Sequence, residues 1–171
     1  MSVSIIHLKG LHTSLFPKIC PVRAIDESFR FLPNCKYEHR DADQLDWNKL
    51  CGVDFRLPFQ PLKAVMASWR WNPDTARFEI GFFVNDPVRG RFMSEPMAQV
   101  QPMQPFGIVI RREKAAPTWW LEIWTAGEWI SEKCEVSFGN PLGWPVSGWF
   151  GGQKTAPHFM EIQRGVSLEK F

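Results

Sequence analysis

Two tryptophans flank a carboxylate in the run Trp120-Leu121-Glu122-Ile123-Trp124. Alternate residues of an extended strand share a face, so Trp120, Glu122 and Trp124 stand together while Trp119, Leu121 and Ile123 stand opposite. Flat indole rings cover the apolar face of a pyranose, and a carboxylate accepts hydrogen bonds from its hydroxyls. The triplet therefore reads as a sugar platform. The same rings suit packing beneath a loop or against a second subunit, because exposed aromatic patches mark interfaces as readily as ligand sites. A second constellation is Arg70 with Glu79. The arginine faces away from Trp69 and Trp71, and the glutamate faces away from Phe78, Ile80 and Phe82. Paired across a hairpin they make an ion pair worth ~0.2–1 kcal/mol. Arg70 and Glu79 are grouped here with Trp120, Glu122 and Trp124 as one candidate glycan or interface face.

Catalytic arrangements are sparse. Glu79 and Glu122 are the acids available as a glycosidase pair, a role that depends on their separation. His7, His12, His39 and His158 are scattered, and His158 in a closing loop reads as a hydrogen-bonded structural residue. There is no serine elbow, phosphate loop or histidine pair with metal-ligand spacing. A polysaccharide lyase needs a base beside a charge-neutralising partner. The one tyrosine, Tyr37, lies in the charged segment 37–46, which reads as a solvated loop or edge. Folded over a groove, that segment can supply the missing groups. No catalytic residue, metal or cofactor is expected. Cys20, Cys35, Cys51 and Cys134 have no CxxC spacing and read as small buried hydrophobes in a reducing compartment, or as one or two disulfides in an oxidising one.

The elements that must position these residues are short strands between turns. Residues 3–7 and 28–32 alternate, and Asp46 is placed to cap one helical turn over 46–50. Strands are expected over 64–71 and 77–84, joined at Asn72-Pro73-Asp74 into a hairpin. Residues 95–105, rich in Pro, Gln and Met, read as an irregular connection or an edge. Strands follow over 106–112, 118–125 and 128–138, with a turn at Ala126-Gly127 and a break at Gly139-Asn140-Pro141. The closing segment has a strand end at 148–150, a turn at Gly151-Gly152, and a last strand after Pro157, which cannot donate to a ladder.

Composition agrees. The 171 residues include 14 Phe and 9 Trp against 1 Tyr, with 14 Pro and 12 Gly scattered between strands. Aromatics favour strands and bury large areas. The pattern predicts one all-β domain over residues 1–171, an antiparallel two-sheet β-sandwich of jelly-roll type, with 1–45 less regular. A net charge of +2 carries no basic footprint for nucleic acid. No run approaches the roughly 18 apolar residues of a membrane helix, and no secretory leader is evident.

Asn48-Lys49-Leu50-Cys51-Gly52-Val53, Ala67-Ser68-Trp69-Arg70-Trp71, Phe78-Glu79-Ile80, Trp149-Phe150-Gly151-Gly152 and Thr155-Ala156-Pro157-His158 occur in that order. Their succession resembles an uncharacterised family of small bacterial β-sandwich proteins and, more loosely, the concanavalin A-like jelly rolls, which include lectins, glycan-binding modules and polysaccharide lyases. The resemblance covers residues 46–163. It implies a fold and no reaction. The functional expectation is a non-catalytic structural or interaction module in a larger assembly, such as a virion or other particle. Its partners would be proteins or further copies of itself, and it would be cytoplasmic or particle-associated. The alternative is a lectin-like glycan-binding module, and after it a polysaccharide lyase or glycoside hydrolase.

Overall fold

The structure, a computed structural model, describes residues 3–12, 21–39, 41–56, 62–114, 117–139, 142–151 and 154–166. The expectations for Cys20, the Asn140-Pro141 break and Gly152 lie outside the described residues. Among the described residues twelve strands run in chain order: β1 Val3–His7, β2 Ile25–Phe31, β3 Asn48–Asp54, β4 Ala64–Asn72, β5 Arg77–Asp86, β6 Gly90–Met93, β7 Ala98–Val100, β8 Pro105–Arg112, β9 Thr118–Thr125, β10 Glu128–Glu135, β11 Trp144–Trp149 and β12 Met160–Arg164. Two 3-10 turns, Pro33–Cys35 and Ala42–Leu45, are the helical elements among the described residues.

All strand pairings are antiparallel. The first sheet has the order β1-β12-β2-β8-β9-β10, and the second has β11-β3-β4-β5-β6 with β7 also on β5. The chain crosses between sheets after β2, β7, β10 and β11, as expected of a jelly-roll sandwich. The inner faces meet in one aromatic core. Phe29, Phe31, Phe106, Ile108, Trp119, Leu121 and Ile123 come from the first sheet, and Trp69, Trp71, Phe78, Ile80 and Phe82 from the second. Phe31 lies at the centre, with ring centroids 4.4 Å from Phe78, 4.9 Å from Trp69 and 5.1 Å from Phe106. Such ring pairs contribute roughly 0.5–1.5 kcal/mol each beyond the area they bury.

Two local expectations are corrected. Residues 46–50 form no helical turn: Asn48 to Asp54 is strand β3, paired with β4 through Lys49↔Ser68 and Gly52↔Met66. The turn lies earlier, over Ala42–Leu45, where the Asp41 carboxylate accepts from the Asp43 amide. A local capping signal at Asp46 is overridden by ladder bonds along a whole strand. Tyr37, at the start of the charged segment, is also not solvated. Tyr37 is buried against Phe150 and Trp69, with ring centroids at 5.1 and 6.0 Å. Its hydroxyl accepts from Asn48 Nδ2 at 3.0 Å, and burial pushes its pKa up to about 12. The polar face of Tyr37 thus closes on the protein itself.

Candidate functional site

The β9–β10 hairpin builds the most open aromatic surface of the described residues. Its turn is two residues long, with Ala126 and Gly127 both at positive φ (46° and 84°). Two successive left-handed residues match the twist of a hairpin and fix its register. That register sets Trp124 directly opposite Trp129. Their rings meet edge to face, with centroids 3.9 Å apart, and each tryptophan is 45% exposed. On its other side Trp124 pairs with Gly107 of β8, which contributes no side chain.

Trp119, Leu121 and Ile123 point inward and are fully buried, so Trp120, Glu122 and Trp124 do project from the outer face. Glu122 is not an open acceptor, however. Arg111, on neighbouring β8, places Nε 2.7 Å and Nη2 2.5 Å from Glu122 Oε1. The Glu122 side chain is 6% exposed and that of Arg111 50%. The Arg111 guanidinium also lies 5.7 Å from the half-buried Trp120 ring. Exposed Ser131 and Lys133 on β10 stand opposite Glu122 and Trp120. The arrangement offers two accessible indole rings, a fixed guanidinium with one open side, a hydroxyl and an ammonium. These are groups for stacking and hydrogen bonding.

Arg70 and Glu79 pair as expected, directly opposite across β4 and β5, with Arg70 Nε 2.7 Å from Glu79 Oε2. They do not join the tryptophan face. β4 and β5 belong to the second sheet and β9 to the first, so the outer faces of the two pairs look away from each other across the sandwich. Packed sheets are ~10 Å apart before any outward side chain is added. For the same reason Glu79 and Glu122 cannot flank one glycosidic bond. Glu79 is further enclosed: its Oε1 accepts from Asn72 Nδ2 at 2.9 Å and from Gln99 Nε2 at 3.4 Å. Arg70 Nη1 donates to the Leu45 carbonyl at 2.9 Å, and the guanidinium lies 4.5 Å from the Trp47 ring. Trp47 in turn lies against Gly81, where a Cβ would stand 2.8 Å from the ring.

Two members of the site are missed when each strand is read alone. Arg111 and Trp129 reach it by lateral pairing, and the two-residue turn at Ala126-Gly127 is the signal that would place Trp129. His158 is a structural residue as expected, with Nε2 2.9 Å from the Asn34 carbonyl. Cys35 and Cys51 are buried and Cys134 is half-buried, Cys35 and Cys134 as free thiols. A polar cluster lies at one end, formed among others by Tyr37, His39, Asn48 and Lys154 and packed too closely to hold a water. Asn48 bridges it, accepting from the Gly151 amide while donating to Tyr37, and Lys154 pairs with Asp41 at its rim.

No protein-family model matches the chain, and no curated protein matches it, so the family resemblance rests on its own residues. Among solved structures, the winged bean acidic lectin complexed with methyl-α-D-galactose is similar over 95% of this chain and 94% of its own, with 11% identity and a TM-score of 0.49. No helix of the described residues is long and apolar enough to cross a membrane.

Proposed function

We propose that the chain acts as one β-sandwich domain, a non-catalytic binding module that takes a glycan on the outer face of its first sheet. The observation that carries this is the exposed Trp124–Trp129 pair, held in register by a tight turn beside the Arg111–Glu122 pair. Indoles present large rigid area at low entropic cost, and a guanidinium oriented by a carboxylate donates to sugar oxygens. The reading is non-catalytic because the two acids considered for cleavage stand on opposite sides of the sandwich. Each is already committed, Glu79 to Arg70, Asn72 and Gln99, and Glu122 to Arg111. A glycan array tests the proposal. The protein should give signals that disappear in Trp124→Ala with the circular dichroism unchanged, and a wild-type array without signal removes the glycan.

A second reading has its own observation. β10 is the outermost strand of the first sheet, and its residues are exposed or half-exposed along its length. A free strand edge beside an apolar pair suits pairing with another chain. This supports the interaction module in a larger assembly, such as a virion or other particle. Sedimentation at rising concentration tests it, since a strict monomer with no captured partner opposes it.

A further inference from the structure

A cleft of about 280 Å³ opens at the end of the β8–β9 hairpin, lined by Arg23, Ala24, Arg111, Arg112, Glu113 and Lys114. Four cations and one acid line it and Glu122 pairs with one of the cations, Arg111, so the cleft keeps a positive excess in a chain whose whole net charge is +2. The cleft adjoins the tryptophan face through Arg111, the cross-strand partner of Trp120. Arg23 and Lys114 are exposed, and the Arg111 side chain is 50% exposed although it serves Glu122. Trp120 and Trp124 are four residues apart along β9, which at strand rise is ~13 Å. One continuous surface therefore runs from the Trp124–Trp129 pair, past the Trp120 ring, to a cationic end.

We infer that the glycan is acidic, with a carboxylate or sulfate group seated in this cleft and its neutral rings lying along Trp120 and Trp124. This rests on the glycan reading above and narrows it. Guanidinium groups bind planar carboxylates and sulfate oxygens through paired N–H donors, which a neutral sugar hydroxyl cannot match in strength. The positive charge is not continuous along this face: Arg111 stands at the cleft, and the half-buried Arg30 stands past Trp124 in the row of Pro105. Farther along the outer face Asp26 and Glu122 are acidic, Asp26 being exposed beside Val109. A nucleic acid backbone, charged at every residue, would meet those acids. A glycan with an acidic group at one position would not.

The test measures affinities of the wild type, Trp124→Ala and the double variant Arg23→Ala/Lys114→Ala, whose side chains are exposed and outside the Arg111–Glu122 pair. Arg23→Gln/Lys114→Gln serves as a second version should the first fold poorly. The probes are a neutral galacto-oligosaccharide, an oligogalacturonate, a sulfated galacto-oligosaccharide, inorganic sulfate, and a single-stranded oligonucleotide of matched charge, at low and high salt. At low salt one acidic oligosaccharide should bind about tenfold or more above the neutral one. The double variant and high salt should each remove most of that preference and leave neutral binding unchanged. The carboxylate and sulfate arms identify the group. Equal affinity for acidic and neutral sugars overturns the inference and leaves the glycan reading standing, whereas binding of no sugar overturns both. Acidic binding untouched by Trp124→Ala, or an oligonucleotide bound as tightly, reduces the cleft to an unspecific cationic patch and overturns it too.

Discussion

The outer faces of the two sheets carry the same trio in different settings. On the second sheet Arg70 bonds Glu79 and lies over Trp47; on the first, Arg111 bonds Glu122 and lies near Trp120. The second-sheet trio is covered. The Arg70 and Glu79 side chains are 17% and 4% exposed, Asn72 and Gln99 donate to the second Glu79 oxygen, and Arg70 Nη1 donates to the Leu45 carbonyl. Around it Trp47, Ala64, Met66 and Phe83 form a buried cluster of their own. On the first sheet the guanidinium keeps a wet side, and the Trp124–Trp129 pair stands beside it in solvent. The chemistry of the side chains does not separate a structural lock from a binding surface here. Cover does: an enclosed ion pair beneath a tryptophan ties elements of the fold together, and the pair beside exposed rings is the one the proposed function assigns to a ligand.

The largest expected difference is in stability. Glu79→Ala leaves the Arg70 guanidinium enclosed without its carboxylate, and a buried pair broken on one side costs about 3 kcal/mol or more. Glu122→Ala frees an arginine that can turn into water, so about 1 kcal/mol is expected once screening is allowed for. Urea unfolding of the two variants checks the ranking, and equal costs would erase the distinction between the faces.

Titration sharpens the same contrast. Lys49, on the covered face, donates to the Trp47 carbonyl at 2.8 Å and lies 4.3 Å from the Phe83 ring. Burial, reinforced by nearby Arg91, lowers its pKa from 10.5 to about 8. Below pH 8 the ammonium is charged in both folded and unfolded chains, and its burial cost is fully present. Between pH 8 and 10.5 the unfolded chain binds more protons, so stability should climb with pH, by at most ~3 kcal/mol. Lys49→Met should flatten that rise and be the more stable protein at pH 7. A wild-type profile flat over this window means the lysine is solvated and the second face is not closed.

Much of this contrast is legible in the sequence, and its central feature is not. Alternation alone sorts Trp119, Leu121 and Ile123 inward from Trp120, Glu122 and Trp124 outward, because one face of each strand must bury its apolar set. The hairpin of β4 and β5 likewise brings Arg70 to Glu79, since a short turn leaves little freedom of register. Sheet membership is set by where the chain crosses the sandwich, and alternation is blind to it. That is why Arg70 and Glu79 read as neighbours of the tryptophan face. Cover is equally hidden: Trp47 lies over Gly81 through the path of a loop, and Tyr37 is buried by rings distant in sequence.

Smaller effects belong to the open face. Trp124→Ala should cost the fold only about 1 kcal/mol, the worth of one exposed ring pair, while removing glycan binding. A loss several times larger in thermal unfolding would make the pair a structural element like its counterpart on the other sheet. Ala126→Asn should stabilise by about 0.5–1 kcal/mol, since asparagine tolerates the left-handed first position of this turn better than alanine. No gain, or a loss, would mean the turn does not set the register of the tryptophan pair.

The most direct test reads both faces at once. The 9 tryptophans give 9 indole N–H signals, and an acidic or neutral oligosaccharide that scores on the array is titrated into labelled protein. Saturating shifts at Trp124, Trp129 and Trp120, with Trp47 and Trp71 unmoved, are the predicted result. Shifts centred on Trp47, or binding that leaves Trp124 and Trp129 unmoved, would contradict the assignment of the open face as the binding face.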